Sequence, residues 1–258
     1  MATPKALVLR AAGVNCDRET QFALELAGFE AQRVHVRRVM ETPALLDDVQ
    51  FLVIPGGFSY GDDVAAGKIL ANQMLHHLTE PLARFVAAGK LVLGICNGFQ
   101  VLIKSGLLPW AAMDPATANH DATLGWNDSG RFIDKWIYLR ADSDRCIYLR
   151  KGDVITLPIA HGEGKFIPRD AGVLEKLRTG DQVSLRYCDR QGQSIAAANP
   201  NGSIDDIAGL CDPSGRIMGL MPHPERFSVV TQHPTWTRGD GQSLDGLKVF
   251  QRAREALG

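Results

Sequence analysis

The sequence predicts an α/β fold with a mostly parallel central sheet, helices on both of its faces, and additional antiparallel strands. Two observations carry this prediction. Over the first hundred residues, short continuous apolar runs alternate with stretches of helical periodicity, a pattern typical of parallel strands that are buried on both faces. In the second half, strand-like runs follow one another without helices between them, which indicates antiparallel or mixed strands at the edge of the sheet.

The first half provides predicted strands and helices in alternation. The strands are residues 6–9, 31–36, 51–54 and 91–95, and the helices are residues 17–27, 67–78, 82–88 and 97–105. The first two helices present apolar residues at helical spacing, so we expect each to turn one face to the core. These residues are Phe22, Ala23 and Leu26 in the first helix, and Leu70, Met74 and Leu78 in the second.

The second half provides more strands and one final amphipathic helix. The strands are residues 131–139, 154–158, 183–187, 194–198 and 217–220, and the helix is residues 244–257. Gly192 and residues 212–215 are turn signals between neighbouring strands. Residues 110–129 have no clear period and are predicted to form a long surface loop; like residues 232–243, they are interpreted as a plain loop rather than a partner surface. No linker divides the chain, so residues 1–258 are predicted to form a single domain.

Composition and cysteine usage exclude several classes of protein. Lys+Arg (28) and Asp+Glu (29) nearly balance to a net charge of -1, whereas nucleic-acid binding normally needs a basic surface. No apolar run approaches the roughly 18–20 residues of a spanning helix, and the first residues lack the apolar region of a secretion signal. The five cysteines are odd in number and include no Cys-x-x-Cys pair. We therefore expect a cytoplasmic protein without disulfides or a zinc site.

Cys96 lies at the centre of the segment GICNG, residues 94–98, between a predicted strand and a predicted helix. This pattern is typical of a nucleophile elbow, a tight turn in which the residues two before and two after the nucleophile must be small. The helix N-terminus favours a thiolate, and the N–H of Asn97 points to where an oxyanion would form. The alternative interpretation is a buried cysteine in a glycine-rich turn.

His223 and Glu225 follow the predicted strand at residues 217–220, in a segment that prolines hold extended. Residues two apart then point to the same side, so Glu225 can orient the His223 ring while the other ring nitrogen faces the nucleophile. The alternative is a surface histidine in a proline-rich loop. A second oxyanion donor is expected from the segment PGGFSYGD, residues 55–62. The alternative interpretation is that its glycines only form a tight turn, and the two interpretations are compatible.

These residues together resemble the class I (triad) glutamine amidotransferases, whose fold is flavodoxin-like. Longer segments narrow the resemblance to the glutaminase subunits of phosphoribosylformylglycinamidine synthase, and they extend from residue 13 to residue 226. Among them are GVNCDRET, PGGFSYGDD, GICNGFQVL, PIAHGEGKF and GLMPHPER.

The resemblance implies roles for nine residues. Cys96 would attack the side-chain amide of glutamine, with His223 and Glu225 completing a catalytic triad. Gly57 and Asn97 would donate to the oxyanion. Four further residues would bind the substrate: Phe58, Gln100, His161 and Gly162.

The resemblance also implies the reaction and its partners. Glutamine would be hydrolysed to glutamate and ammonia through a glutamyl thioester, as a step of de novo purine biosynthesis. The ammonia would pass to a separate synthetase subunit that converts formylglycinamide ribonucleotide to formylglycinamidine ribonucleotide, with or without a small third subunit. The chain has no Gly-x-x-x-x-Gly-Lys-Ser/Thr phosphate loop, so ATP and magnesium are expected on the synthetase, and neither a cofactor nor a metal in this chain.

Alternatives stay open at this level. A triad amidotransferase could serve another ammonia acceptor. Cysteine hydrolases and glyoxalase-like proteins of similar fold usually carry histidine directly after the nucleophile, where this chain has Asn97. A binding module without catalysis would be expected to lack the cysteine, the histidine or the glutamate. For residues 161–164, HGEG, a polar glycine turn is the plainer interpretation.

Overall fold

Strands and helices alternate in the first half of the chain and strands dominate the second, within residues 2–113 and 121–258, which the computed structural model describes. The strands are β1 (Lys5–Arg10), β2 (Glu30–His35), β3 (Phe51–Ile54), β4 (Leu91–Ile95), β5 (Ala122–Trp126), β6 (Ile133–Ala141), β7 (Val154–His161), β8 (Glu163–Pro168), β9 (Val183–Cys188), β10 (Ile207–Cys211) and β11 (Ile217–Leu220). The helices are α1 (Asp17–Leu26), α2 (Val36–Glu41), α3 (Lys68–His77), α4 (Thr79–Ala87), α5 (Asn97–Lys104), α6 (Ala171–Thr179) and α7 (Asp245–Glu255).

The centre of the molecule is a nine-stranded sheet with the order β2-β1-β3-β4-β11-β10-β9-β6-β7. The first five strands in this order are parallel to their neighbours. The remaining four each run antiparallel to the strand beside them. Strands β5 and β8 form a separate antiparallel pair. The predicted fold class, a parallel core extended by antiparallel strands, is confirmed.

Helices cover both faces of the parallel strands. The chain moves from β1 to β2 in one direction across the sheet and from β3 to β4 in the other, so right-handed connections place α1 and α3 on opposite faces. Helix α1 packs against α7, whereas α3 packs against α4 and α5. Every residue of β3 and β4 is buried as a result, which explains their continuous apolar sequence. No helix within the described residues is long and apolar enough to cross a membrane.

Two predictions about the second half are wrong. Residues 194–198 form no strand; residues 196–198 make a 3-10 turn instead. Strand β9, which precedes them, already pairs with β10 on one side and β6 on the other, so it has no free edge for them. The loop predicted at residues 110–129 contains β5, which gains its partner β8 from a distant part of the sequence. Residues 114–120 of that prediction lie outside the described residues.

The predicted core face of α1 is also partly wrong. Phe22 and Leu26 are 46% and 44% exposed, and only Ala23 of the three predicted residues is buried. The buried face includes Thr20, whose hydroxyl donates to the carbonyl of Cys16 at 2.7 Å. A satisfied hydroxyl can be buried at little cost, so the helix is rotated relative to its apolar spacing. By contrast, the three residues predicted to face the core from the second helix are all buried: Leu70, Met74 and Leu78.

Besides β5, four elements have no counterpart in the sequence-based assignment: α2, α6, β8 and β10. Helix α6 had a readable signal, since the side chain of Asp170 caps it by accepting from the N–H of Val173 at 2.8 Å. Strand β10 is a continuous apolar run, IAGLC, and is buried throughout. Residues 232–243 contain no α-helix or strand, as expected of a loop, and include one 3-10 turn, Trp236–Arg238.

Candidate active site

A cavity of about 340 Å³ lies at the carboxyl ends of β3, β4 and β7. Six of the nine predicted site residues line it: Gly57, Phe58, Cys96, Gln100, His161 and Gly162. A smaller cavity of about 130 Å³ shares Cys96 with the first and brings in His223. Another cavity, of about 310 Å³, lies between residues 148–155 and α7, and its described lining contains no cysteine or histidine. Among these three cavities, only the two that contain Cys96 have a cysteine or a histidine in their described lining.

Cys96 lies in a tight turn between β4 and α5, with φ 51° and ψ -104°. A Cβ on Gly94 would lie 2.6 Å from the carbonyl oxygen of Gly98, and a Cβ on Gly98 would overlap the carbonyl oxygen of Ile54. Both glycines are therefore required by close backbone approach. The N–H of Cys96 donates to the carbonyl of Leu220 at 2.7 Å, which fixes the turn to β11. The predicted strained elbow is confirmed in its geometry.

His223 and Glu225 follow β11, the parallel neighbour of β4. Residue Leu220 pairs with Ile95, so the segments after the two strands emerge side by side. The Nδ1 atom of His223 lies 2.6 Å from Oε1 of Glu225, the distance of a charge-assisted hydrogen bond. The main-chain N–H of His223 donates to the carbonyl of Pro158 at 2.9 Å. The predicted extended backbone is wrong, because Pro224–Arg226 forms a 3-10 turn. This turn nevertheless places the Glu225 carboxylate against the His223 ring.

The charge on His223 is set by its surroundings. Burial alone would lower the pKa of the imidazole, but the Glu225 carboxylate and then the Cys96 thiol raise it, and the pKa lies well above its ordinary value. These two groups therefore favour the protonated, imidazolium form of the ring. An imidazolium beside Cys96 can pair with a thiolate and can return its proton to a leaving group.

The glycine-rich segment 55–62, which we call the oxyanion loop, packs against residues 13–15. The N–H of Phe58 donates to the carbonyl of Gly13 at 3.0 Å. Gly57 has φ +136°, and a Cβ there would lie 2.7 Å from the N–H nitrogen of Asn15. Only glycine fits this position without moving the backbone. Residues 13–16, GVNC, thereby form the surface against which the oxyanion loop packs.

Gly56 provides a test of how closely this loop supports the histidine. A Cβ on Gly56 would lie 2.8 Å from Cε1 of His223, so Gly56→Ala is expected to displace the ring. Misplacement of a reacting group by about 1 Å can cost about 10²-fold in rate, and we expect a loss of that order in glutamate release. Gly172→Ala on the exposed face of α6 is the matched control and should be neutral. Full activity of Gly56→Ala at unchanged Tm would show that the site accommodates the added methyl group without displacing the His223 ring.

His161 is a neutral hydrogen-bond acceptor in the cavity wall. Burial and, to a lesser extent, the charge of His223 lower the pKa of its imidazole to about 4. The Nδ2 atom of Asn127 donates to the carbonyls of Arg131 and His161, so its Oδ1 accepts from Nδ1–H of His161 at 3.0 Å. The proton of the ring is therefore on Nδ1, and Nε2 keeps a lone pair for a donor. Gly162, the next residue, has open space for a Cβ except for the Trp126 ring at 3.6 Å.

Several residues of the site were missed by sequence reasoning. Asp62, Trp126, Phe132 and Glu163 line the main cavity. Asp62 and Glu163 lie in two segments that carry the family resemblance, PGGFSYGDD and PIAHGEGKF. The sequence therefore contained a signal for both residues. Trp126 carried no such signal, because its strand was interpreted as loop.

Cys16 is a second thiol beside the histidine. Its Sγ accepts from Nη2 of Arg226 at 3.2 Å, and the ligand atoms of Cys16, His223 and Glu225 all lie within 4.8 Å of one another. Three such atoms could hold a metal ion by proximity. The 2.6 Å between the His223 and Glu225 atoms is, however, shorter than the separation of two ligands around a tetrahedral ion with bonds of about 2.0 Å. The arrangement fits a hydrogen-bonded pair better than a metal centre.

Comparison with known proteins agrees with this site. The model of the CobB/CobQ-like glutamine amidotransferase domain family matches residues 3–256. The phosphoribosylformylglycinamidine synthase subunit PurQ of Dehalococcoides mccartyi is 44% identical over 257 residues, which are 98% of this chain and 97% of that relative. The protein of the same name from Treponema denticola is 41% identical over 244 residues, which are 89% and 90% of the two chains.

Solved structures give the same result. A chain in the structure of PurLQS from Thermotoga maritima superposes with a TM-score of 0.75 at 34% identity, covering 100% of both chains. The glutaminase domain of Trypanosoma brucei CTPS with bound acivicin superposes with a TM-score of 0.58 at 13% identity, over 99% of this chain and 94% of that one, which is a likeness of fold alone. The chain therefore belongs to the CobB/CobQ-like glutamine amidotransferase family, in agreement with the family that its motifs indicate.

Proposed function

We propose that this chain is the glutaminase subunit of a phosphoribosylformylglycinamidine synthase and hydrolyses L-glutamine to L-glutamate and ammonia. The observation that carries the proposal is the cavity in which a nucleophile elbow at Cys96 meets a buried His223–Glu225 pair. Relatives at 41–44% identity over most of their length carry the name of this subunit. The name of these relatives supports the proposed acceptor reaction, and the geometry of the cavity supports amide hydrolysis.

The proposed mechanism uses the three residues in turn. The Cys96 thiolate adds to the side-chain carbonyl of glutamine, and the C–N bond of the resulting tetrahedral intermediate breaks as His223 protonates the leaving ammonia. The glutamyl thioester is then attacked by a water whose proton passes to His223, and the C–S bond breaks, which releases glutamate and restores the Cys96 thiolate beside the imidazolium. Glu225 holds the ring and stabilises its positive charge, and transfers no proton itself.

Four further roles belong to the proposal. The N–H groups of Gly57 and Asn97 stabilise the oxyanion, since the first lies in the loop beside Cys96 and the second begins α5 directly after it. Phe58, Gln100 and the 161–162 segment bind glutamine, because they form the wall of the same cavity.

The ammonia acceptor is proposed to be a separate synthetase subunit, with ATP and magnesium bound on that subunit and neither in this chain. A small third subunit is compatible with this assignment. The cavity mouth carries exposed aromatic side chains of Phe58, Trp126 and Phe132, a residue type enriched where proteins meet. The proposed location is the cytoplasm, consistent with five free cysteines, and residues 1–258 are proposed to act as one domain.

The proposal is tested by adding the synthetase subunit and formylglycinamide ribonucleotide to the purified chain with glutamine and ATP. Formation of formylglycinamidine ribonucleotide that depends on both chains supports it. Glutamate release without transfer to this acceptor, at saturating synthetase, would point instead to an amidotransferase with another acceptor.

Coupling to the partner gives a further prediction. Two adjacent glycines in the oxyanion loop allow a peptide to rotate at little steric cost, so the Gly57 N–H can turn away until a partner fixes it. Loss of one oxyanion donor costs about 10²–10³-fold in rate. We expect low glutaminase activity of the lone chain and a rise of at least about tenfold, or about 1.4 kcal/mol of barrier, with the loaded synthetase. Glutamate release measured across a titration of the partner checks this; full activity at zero partner would contradict it.

A further inference from the structure

The side chain of Asn97 makes contacts that are separate from the proposed role of its main-chain N–H. It is buried directly behind the nucleophile and contacts three groups. Its Oδ1 accepts from the N–H of Ser59 at 3.2 Å, and its Nδ2 donates to Oδ1 of Asp62 at 3.1 Å and to Oε1 of Gln100 at 3.0 Å. Ser59 and Asp62 belong to the oxyanion loop, and Gln100 belongs to the wall of the glutamine cavity. One amide therefore joins the two parts of the proposed site.

Main-chain groups at the two ends fix the direction of this hydrogen-bond chain. The carbonyl of Glu163 can only accept, so Nε2 of Gln100 faces it at 2.5 Å and Oε1 of Gln100 faces Asn97. The N–H of Ser59 can only donate, so Oδ1 of Asn97 faces it and Nδ2 faces Gln100. Reversing either side-chain amide would oppose donor to donor or acceptor to acceptor. The orientation of the Gln100 amide in the cavity therefore depends on Asn97.

Asp62 adds a second attachment to the loop. Its Oδ1 also accepts from the N–H of Gly67 at 3.3 Å. Burial raises the pKa of Asp62 and the nearby Glu163 carboxylate raises it too, whereas the Gly67 N–H, the Asn97 amide and the Lys104 ammonium lower it. The Asn97 donor thus helps a half-buried carboxylate to stay charged and in place.

We propose that the Asn97 side chain is a positioning residue that sets the oxyanion loop and the Gln100 amide in one mutual arrangement. This inference rests on the proposed function. Its acceptor holds the N–H of Ser59, two residues after Gly57, and so places the loop for the oxyanion. Its donor holds Gln100 for the bound glutamine. The two ends serve different steps, since oxyanion stabilisation appears in kcat and substrate binding appears in KM.

Two variants separate these ends, and both keep the main-chain N–H at position 97. Asn97→Asp has nearly the same shape and retains an acceptor for Ser59, but it replaces both donors with a carboxylate that lies against Asp62 and repels it. It is expected to raise the KM for glutamine about tenfold, because loss of one hydrogen bond of this kind is worth about a factor of ten, and to lower kcat less than Asn97→Ala does, because the contact with Ser59 remains. Asn97→Ala is expected to raise KM equally and to lower kcat by about tenfold as well. The readout is steady-state glutamate release by the full chain with saturating synthetase subunit.

Gln182→Ala is the matched control for the loss of a buried amide. Its Nε2 donates to the carbonyls of Pro109 and Cys211 at 2.7 and 3.0 Å, beside the amino end of β11 and away from the cavity. This variant is expected to lower Tm and leave KM and kcat unchanged. Alkylation of Cys96 by iodoacetamide should proceed at the parent rate in Asn97→Ala, because this variant changes neither the thiol nor the charge beside it.

The outcomes decide between a positioning role and a merely structural one. An unchanged KM in Asn97→Asp, or equal losses of kcat in the two variants, would overturn the inference while the active parent leaves the proposed function intact. If Asn97→Ala does not fold, Asn97→Asp alone carries the test through its KM. If the parent releases no glutamate, the proposed function fails and the inference fails with it.

Discussion

Cys96→Ala is expected to remove glutamine-dependent synthesis in the complex, with a loss of about 10⁶-fold in glutamate release. Cys96 is the one cysteine in the wall of the cavity, within the described residues, whereas Cys16, the other thiol beside His223, does not line it. Synthesis driven by added ammonium salt should survive, because the variant lacks only ammonia release. Both activities are measured on the same complex, with glutamine or ammonium chloride as the nitrogen source.

The matched control for Cys96→Ala is Cys188→Ala. Cys188 is equally buried, but it lies at the end of β9 and lines neither of the cavities that hold Cys96. It should retain both activities. Equal loss of glutamine-dependent and ammonium-dependent synthesis in Cys96→Ala would show that this residue supports the complex rather than the hydrolysis.

The parallel core was predictable because its sequence is nearly free of ambiguity. Strands β3 and β4 are buried on both faces and are therefore continuous apolar runs, and both end in glycine-containing turns. The triad was predictable for a related reason: parallel strands end at the same edge, so the segments after β4 and β11 are candidates to meet. The short spacing of His223 and Glu225 in the sequence indicated that the carboxylate could reach the ring.

The remaining features depend on tertiary context that the chain encodes only at a distance. Strand β5 looks irregular in sequence and becomes a strand because β8, some forty residues later, pairs with it. The buried face of α1 includes two polar side chains, Asp17 and Thr20, whose partners lie at its start and outside the helix, so apolar spacing alone does not reveal it. The side-chain role of Asn97 requires knowing that three polar partners converge on it, which no local pattern states.

Glu225→Gln is expected to lower the rate of glutamate release by about 10³–10⁴-fold, less than the loss of the nucleophile. The substitution keeps the shape of the side chain and removes its charge. Coulomb attraction to Glu225 is the largest influence that opposes burial and raises the pKa of His223, so this pKa should fall in the variant. The ring would then lose its proton at a lower pH, which weakens the imidazolium partner of the Cys96 thiolate.

Two measurements separate this effect from simple damage to the site. The rate of Cys96 alkylation by iodoacetamide, followed against pH, should shift in Glu225→Gln because the histidinium partner of the thiolate titrates earlier. Glu175→Gln, on the exposed face of α6, is the matched control and should leave both rates unchanged. The carboxylate of Glu225 is fully buried and lies 2.6 Å from the ring and 4.0 Å from Nε of Arg226, so the ring is its nearer charged partner. Turnover of Glu225→Gln at the parent rate would contradict the proposed role of Glu225 and show that His223 functions without this carboxylate.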